Sequence, residues 1–315
     1  MVRNPDAEQT AVIDAPSDLE LYQATHHLPA GTQIPMAKNY EIIEPLGEGG
    51  MGQIYRAYDP TMDRYVAVKV LKEGIEEAEL NRFLKEARLA ADFSHPNLVR
   101  VLEVGQSDGM HWLAMEWLRG RDIGHVLAGR RQTNFRLVAT IFGQVLDALD
   151  YVHTRSIIHC DIKPENIFIT RDVFDRRLVI AKLIDFGIAK VLNAPLELQQ
   201  YITGDPRYMA PEQAILNGPV DARTDLYALG MSFFEVVTAE HPFEDSIDLE
   251  PLALLEMQKF REPPRLSDLL PANTKPDLAD ALDNFFISAC AKKPEDRFAD
   301  AKAMRRALDE LMTYI

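Results

Sequence analysis

The hydrophobic periodicity of this chain changes once along its length, and that change limits the folds open to it. From Tyr40 to Trp117 the apolar residues fall in short runs bounded by turn residues. Tyr40 to Leu46, Gly52 to Tyr58, Arg64 to Val70, Leu98 to Val104 and Met110 to Trp117 read as strands. One helical stretch interrupts them, Glu76 to Ala91, with Leu80, Phe83, Leu84, Ala87 and Ala91 at helical spacing before a Ser94-His95-Pro96-Asn97 turn. Beyond Arg119-Gly120 long amphipathic stretches take over: Phe135 to Thr154, Asp225 to Ala239, Pro276 to Ala291 and Asp300 to Tyr314. Strands first and helices after is an α+β pattern. At 315 residues and 47% hydrophobic the chain exceeds the size at which one core usually divides. The expectation is a small sheet lobe over residues 38–117 and a larger helical lobe over residues 118–315.

Residues 1–37 lack sustained periodicity, and Leu28-Pro29 and Ile34-Pro35 break any local element, so this stretch is expected to form a flexible arm. The net charge of −15 argues against nucleic-acid binding, which needs clustered Lys and Arg to displace counterions. The two cysteines, Cys160 and Cys290, have no paired spacing. They indicate neither a disulfide framework nor a zinc site, and point to a reducing, cytoplasmic compartment. No apolar run reaches membrane-spanning length, and no apolar segment of the secretory kind follows Arg3. The chain stops at Ile315, just past a helical segment, which leaves open a soluble protein or one that continues further.

Against this background several motifs stand in a fixed order. Leu46-Gly47-Glu48-Gly49-Gly50-Met51-Gly52-Gln53-Ile54 places glycines between two strands, where backbone can approach phosphate oxygens or adopt φ > 0. Its strand–turn–strand setting excludes the dinucleotide-binding version, which opens a helix, although such glycines serve a plain hairpin equally well. Lys69 lies in Val66-Ala67-Val68-Lys69, and Glu86 lies on the following helix. Taken singly, the first is an ordinary strand-edge lysine and the second a helix-surface glutamate with Arg82 at i−4. His159-Cys160-Asp161-Ile162-Lys163-Pro164-Glu165-Asn166 precedes Asp185-Phe186-Gly187, Ala210-Pro211-Glu212, Asp225-Leu226-Tyr227-Ala228-Leu229-Gly230 and Pro294-Glu295-Asp296-Arg297-Phe298. A lone loop Asp is usually a cap or turn residue; the joint order carries the weight. From Tyr40 to about Met312 the chain resembles the eukaryotic-type (Hanks-type) serine/threonine protein kinases, and its Gly-Glu-Gly-Gly-Met-Gly turn resembles bacterial members.

That resemblance implies a bilobal α+β protein kinase fold and a Mg·ATP-dependent transferase acting on Ser/Thr hydroxyls of protein substrates. Asp161 would accept the hydroxyl proton, and Lys163 would place positive charge beside the moving phosphoryl group. Asn166 and Asp185 would hold Mg²⁺, with Mn²⁺ as the alternative. The glycine-rich turn, residues Gly47, Glu48, Gly49, Gly50, Met51, Gly52 and Gln53, would cover the phosphates, while Lys69, paired with Glu86, would grip them. Leu46, Ile54, Ala67 and Phe168 would sandwich the adenine ring, the backbone of Glu116 and Leu118 would bond its edge, Met115 would guard the back pocket, and Asp122 would meet the ribose. Arg297 would pair with Glu212 beneath the activation segment. Partners implied are ATP, protein substrates and a regulatory protein; Thr10 and Thr32 in the arm are candidate autophosphorylation sites.

Three positions depart from the family pattern. Ala90 stands where a larger residue is usual, which bears on how firmly the Glu86 helix is anchored. Cys160 replaces the Arg that captures an activation-loop phosphate, which implies activity independent of that phosphorylation. Asp205 replaces a Thr and is expected near both Asp161 and Lys163, either restraining the site or pairing with Arg207. These departures keep alive a second function, a pseudokinase acting as a nucleotide-binding interaction module. A small-molecule kinase is disfavoured by Ala210-Pro211-Glu212, a segment associated with docking of protein substrates.

Overall fold

A computed structural model describes residues 40–48, 52–71, 77–107, 110–127, 134–172, 175, 177–185, 190–191, 204–215, 218–246 and 249–315, with the side chains at 77–79, 82, 85, 86, 89, 107, 127, 190, 191 and 246 outside that description. The expected arm, the turn residues Gly49, Gly50 and Met51, and the Glu86 side chain fall outside it.

Five strands form one antiparallel sheet: β1 (Glu41–Glu48), β2 (Gly52–Asp59), β3 (Arg64–Leu71), β4 (Val101–Ser107) and β5 (Met110–Glu116), in the order β1-β2-β3-β5-β4. Residues paired across an antiparallel ladder share a face, so the register sorts the side chains. Tyr55, Ala57, Val66, Val68, Val70, Trp112 and Ala114 fall on one face and pack with Tyr40 and Ile42 into a closed cluster. The opposite face carries Ile54 across from Lys69, Lys69 across from Leu113, and Ala67 across from Met115. Helix α1 (Glu77–Ala91) covers part of that second face by laying Phe83 and Ala87 on Leu71 and Leu113. Gly52 admits no side chain, because a Cβ there would sit 2.3 Å from the Val70 carbonyl oxygen.

The segment expected to begin a strand at Leu98 does so only at Val101. Leu98 instead bridges Leu183, with Val99 donating to the Leu183 carbonyl and Leu183 to that of Asn97. Those main-chain groups are spent tying the sheet lobe to a second, three-stranded sheet of β6 (Gly120–Asp122), β8 (Ile167–Arg171) and β9 (Val179–Leu183). A further pair joins β7 (Ile157–Ile158) to β10 (Lys190–Val191).

The remaining described chain is helical: α2 (Ile123–Leu127), α3 (Phe135–His153), α4 (Ala222–Thr238), α5 (Pro251–Phe260), α6 (Pro276–Ala289) and α7 (Ala301–Leu311). Helix α4 starts three residues before the sequence signal, because Asp221 caps it reciprocally with Thr224. It is buried on nearly every side, as a helix apolar all round must be. Phe233 packs edge-on against Phe142 of α3, and Phe234 against Phe286 of α6. Gly230 lets α6 approach, since a Cβ there would lie 2.6 Å from the Cys290 Sγ. The structure is thus an antiparallel sheet lobe beside a helical lobe organised around α4.

Candidate active site

Helix α4 brings one carboxylate to the base of the loop that links β7 to β8. Asp225, fully buried in its first turn, accepts the amide N–H groups of His159 at 2.9 Å and Cys160 at 2.8 Å, and contacts His153 Nε2 at 2.7 Å. A buried carboxylate is costly unless its oxygens are bonded, and here three donors meet it. Cys160 sits at φ 65°, a left-handed conformation that a non-glycine residue holds only when its surroundings over-determine it. Its amide is held by Asp225 and its carbonyl accepts Gln213 Nε2 at 3.1 Å. The next residue, Asp161, is thereby aimed outward, its own N–H resting on His159 Nδ1. Complete burial pushes the His159 imidazole pKa down, outweighing the nearby carboxylates.

Around the Asp161 carboxylate the loop folds back on itself. Asn166 Nδ2 donates to the Asp161 carbonyl at 2.8 Å and to its Oδ2 at 3.0 Å, Lys163 Nζ lies 3.3 Å from the same oxygen, and the Asp205 amide donates to Oδ1 at 3.2 Å. Asp161, Lys163 and Asn166 therefore form one group, joined by hydrogen bonds from Asn166 and an ion pair with Lys163. Asp185 is joined to it through the main chain, with the Ile184 amide donating to the Asn166 carbonyl at 2.9 Å. Asp185 is itself left-handed, at φ 59°, and its carboxylate meets Lys69 Nζ at 3.1 Å, linking the two lobes. Lys69 is 8% exposed, so it is a buried cation with a charged partner rather than a solvated edge residue.

Other expected contacts distribute unevenly. Ile54, Ala67, Lys69 and Met115 share the face turned toward Asp185. Gln53 alternates to the other face, where its side chain accepts the Tyr55 hydroxyl, so only its main chain remains for a ligand over the glycine turn. The Glu116 amide is spent on the Arg100 carbonyl at 2.9 Å and its carboxylate on Lys182 at 2.7 Å, so its carbonyl is the group to consider at an adenine edge. Asp122 is already engaged: it caps α2 through the His125 amide at 2.9 Å and contacts His125 Nδ1 at 2.6 Å. Phe168 lies directly across the ladder from Asp122, and Leu46 is 43% exposed on β1. Ala90 is buried and joins the large core with Phe93 and Leu98.

Beneath this site Arg297 and Glu212 form the expected ion pair, bidentate at 2.7 and 2.8 Å. Arg297 also donates to the carbonyls of Ala291, Lys292 and Arg223, and Thr224 donates to Glu212. Asp205 lies beside Lys163 and also pairs with Arg207. Its carboxylate lies 3.9 Å from Lys163, but its principal partner is Arg207, whose guanidinium reaches it at 2.6 and 3.0 Å. Burial raises the Asp205 pKa, but the Arg207 hydrogen bonds and charge, with help from Lys163, more than offset it and the net shift is downward.

Comparison with known proteins agrees with this geometry. The model of the protein kinase domain family matches residues 40–308. The chain belongs to that family. It is 34% identical over 283 residues to serine/threonine-protein kinase pkn3 of Myxococcus xanthus, covering 87% of this chain and 50% of that protein. It is 37% identical over 279 residues to Pkn1 of the same organism, covering 86% and 38%, and 35% identical over 276 residues to PknF of Mycobacterium tuberculosis, covering 85% and 55%. The chain spans about half the length, or less, of such curated relatives. No helix among the described residues is long and apolar enough to cross a membrane.

Membership in the protein kinase family implies ATP and a divalent cation, and the donor set fits both. Asn166 spends its Nδ2 on Asp161, so its amide oxygen is the atom left for a cation, and Asp185 adds a carboxylate that is 42% exposed. Both are hard oxygen donors. Two protein ligands suit a magnesium-like ion that takes its other ligands from phosphate and water.

Proposed function

We propose that this chain is a Mg·ATP-dependent protein kinase that transfers the γ-phosphate of ATP to Ser or Thr hydroxyls of protein substrates. The observation that carries the reading is the convergence of Lys163 and Asn166 on the Asp161 carboxylate, by an ion pair and a hydrogen bond, with Asp185 tied to Lys69 across the cleft. The names of the bacterial relatives support the Ser/Thr class.

Phosphoryl transfer asks a protein mainly for positioning and charge. In this reading Asp161 orients the acceptor hydroxyl and takes its proton at a carboxylate oxygen, while Lys163 neutralises charge gathering on the transferred oxygens. Lys69 holds the nucleotide phosphates from the sheet, and Ile54, Ala67 and Met115 provide the apolar face on which the base rests. A divalent cation, when bound, would supply Lewis-acid neutralisation of phosphate charge, and Asn166 and Asp185 would hold it; their all-oxygen donor pair suits Mg²⁺ and, as an alternative, Mn²⁺. Since Cys160 offers no guanidinium, activity is independent of activation-loop phosphorylation.

The test is incubation with labelled ATP, Mg²⁺ and histone as acceptor, beside Asp161→Asn. Label on histone Ser or Thr with wild type and its loss in the variant is the expected result. Absence of any transfer by the wild-type chain, with nucleotide still bound, would establish the pseudokinase reading instead.

A further inference from the structure

Asp205 poses a problem that the structure resolves in a specific way. Its main-chain N–H supports the Asp161 carboxylate at 3.2 Å, so residue 205 is fixed beside the reacting centre. Its side chain brings a second carboxylate there, 84% shielded from solvent, with Lys163 between the two: 3.3 Å from Asp161 and 3.9 Å from Asp205. Opposite charges attract more strongly the closer they lie, so any movement of the Asp205 carboxylate toward Lys163 would draw that lysine off Asp161 and off a phosphoryl group beside it.

Arg207 prevents that movement. Its guanidinium takes Asp205 in a fork, Nη2 to Oδ2 at 2.6 Å and Nε to Oδ1 at 3.0 Å, and its own amide donates to Oδ1 at 3.1 Å. The fork is directional in a way that a lysine could not reproduce. Arg207 is itself secured from behind. His241 Nε2 lies 3.0 Å from its carbonyl, and because His241 Nδ1 accepts the Phe243 amide, Nε2 is the donor. Gln258, which is 1% exposed and held by the Tyr227 hydroxyl at 2.7 Å, donates to the same carbonyl. The outer edge of the guanidinium touches Glu165 at 3.4 Å. Two buried side chains, Gln258 on α5 and His241 in the segment after α4, thus fix the backbone of Arg207, and Arg207 fixes the carboxylate of Asp205.

We infer that Arg207 is a positioning residue for phosphoryl transfer: by holding the Asp205 carboxylate away from Lys163 it reserves that lysine for Asp161 and the transferred group. This rests on the kinase reading proposed above. The role concerns where a charge lies, which separates it from simple support of the loop. Replacing Arg207 should harm activity only while residue 205 carries a charge.

The experiment is a double-mutant cycle on the full chain with histone and Mg·ATP, comparing wild type, Arg207→Ala, Asp205→Asn and the double variant, with melting curves for all four. Arg207→Ala is expected to lower kcat about tenfold, within the range of coupling between neighbouring charges, with the KM for ATP unchanged. Asp205→Asn added to it should restore kcat to within about twofold of the Asp205→Asn single variant. Arg207→Lys, which keeps charge but not the fork, should fall between, and it serves if the alanine variant does not fold. A double variant as slow as Arg207→Ala would overturn the inference and leave Arg207 a loop support. So would a rise in the KM for histone at unchanged kcat, which would make Arg207 a docking residue. An inactive wild-type chain would instead strike at the kinase reading itself.

Discussion

The two sides of the cleft are built by different means. On the sheet side, position is set by main-chain pairing: the β2–β3–β5 register puts Ile54, Ala67, Lys69 and Met115 on one face, while the core on the other consists of apolar contacts. On the helical side, position is set by buried charge. Asp225 orients the His159–Cys160 amides, and the Glu212–Arg297 pair fixes the segment that carries residues 205 to 215. In the proposed reading the sheet side meets the nucleotide with a flat face, and a ladder supplies one. The catalytic side asks for oxygens held to within tenths of an ångström, which apolar packing alone does not specify and directional hydrogen bonds do.

The strongest way to break this contrast is Arg297→Met. It leaves Glu212, 5% exposed, without its bidentate partner, and removing one member of a buried pair typically costs about 3–5 kcal/mol. Denaturant unfolding measures it; a loss below about 1 kcal/mol would show that buried charge is not what holds the helical side. Next in size is Asp161→Asn, expected to reduce transfer by roughly two to three orders of magnitude without moving the melting temperature. Lys69→Met should approach it in activity and likewise spare the fold, since both withdraw charge from the cleft rather than volume from a core.

A smaller, pH-dependent effect should fall on the helical side. Burial holds the pKa of His159 and of His241 below the ordinary histidine value, against opposing pulls from Asp225 and from the Arg207 carbonyl respectively. As pH drops below about 6.5 the unfolded chain takes up these protons before the folded one does, so stability is full above that pH and declines on acidification until the folded-state values are reached. The slope is up to about 1.4 kcal/mol per pH unit for each histidine. Melting temperatures from pH 7.5 to 5 check the sign, and a rise on acidification would contradict it. The smallest effect belongs to the activation segment: phosphatase-treated protein and Thr203→Ala should turn over within about twofold of untreated wild type, since Cys160 offers no guanidinium to receive a phosphate. Thr203 itself lies outside the described residues.

Much of this was legible in the sequence because the motifs are local. Strand alternation from Tyr40 to Glu116 and the long stripes of α3, α6 and α7 each report their own burial. The Arg297–Glu212 pair was readable through family likeness alone, being 85 residues apart in sequence. Helix α5 escaped notice because Leu252 and Phe260 are about three-quarters exposed on it, which blurs the apolar period. The strands β6 to β10, of two to five residues, are too short for any period to show. Asp225 stood inside a quoted motif, yet its work was not readable, since its partners lie 65 and 66 residues earlier and are main-chain amides that no side-chain pattern marks. The cap made by Asp122 was not read either: an acidic residue three positions before a helical histidine also suits a helix start, and here it bonds the His125 amide and ring.

The way the chain grips Cys160 has an evolutionary corollary. Both its amide and its carbonyl are engaged, by Asp225 and Gln213, and it is this peptide framework that aims Asp161. What points Asp161 outward is thus carried by two peptide groups, so inheritance of that geometry depends on Asp225 and Gln213 as much as on the loop itself.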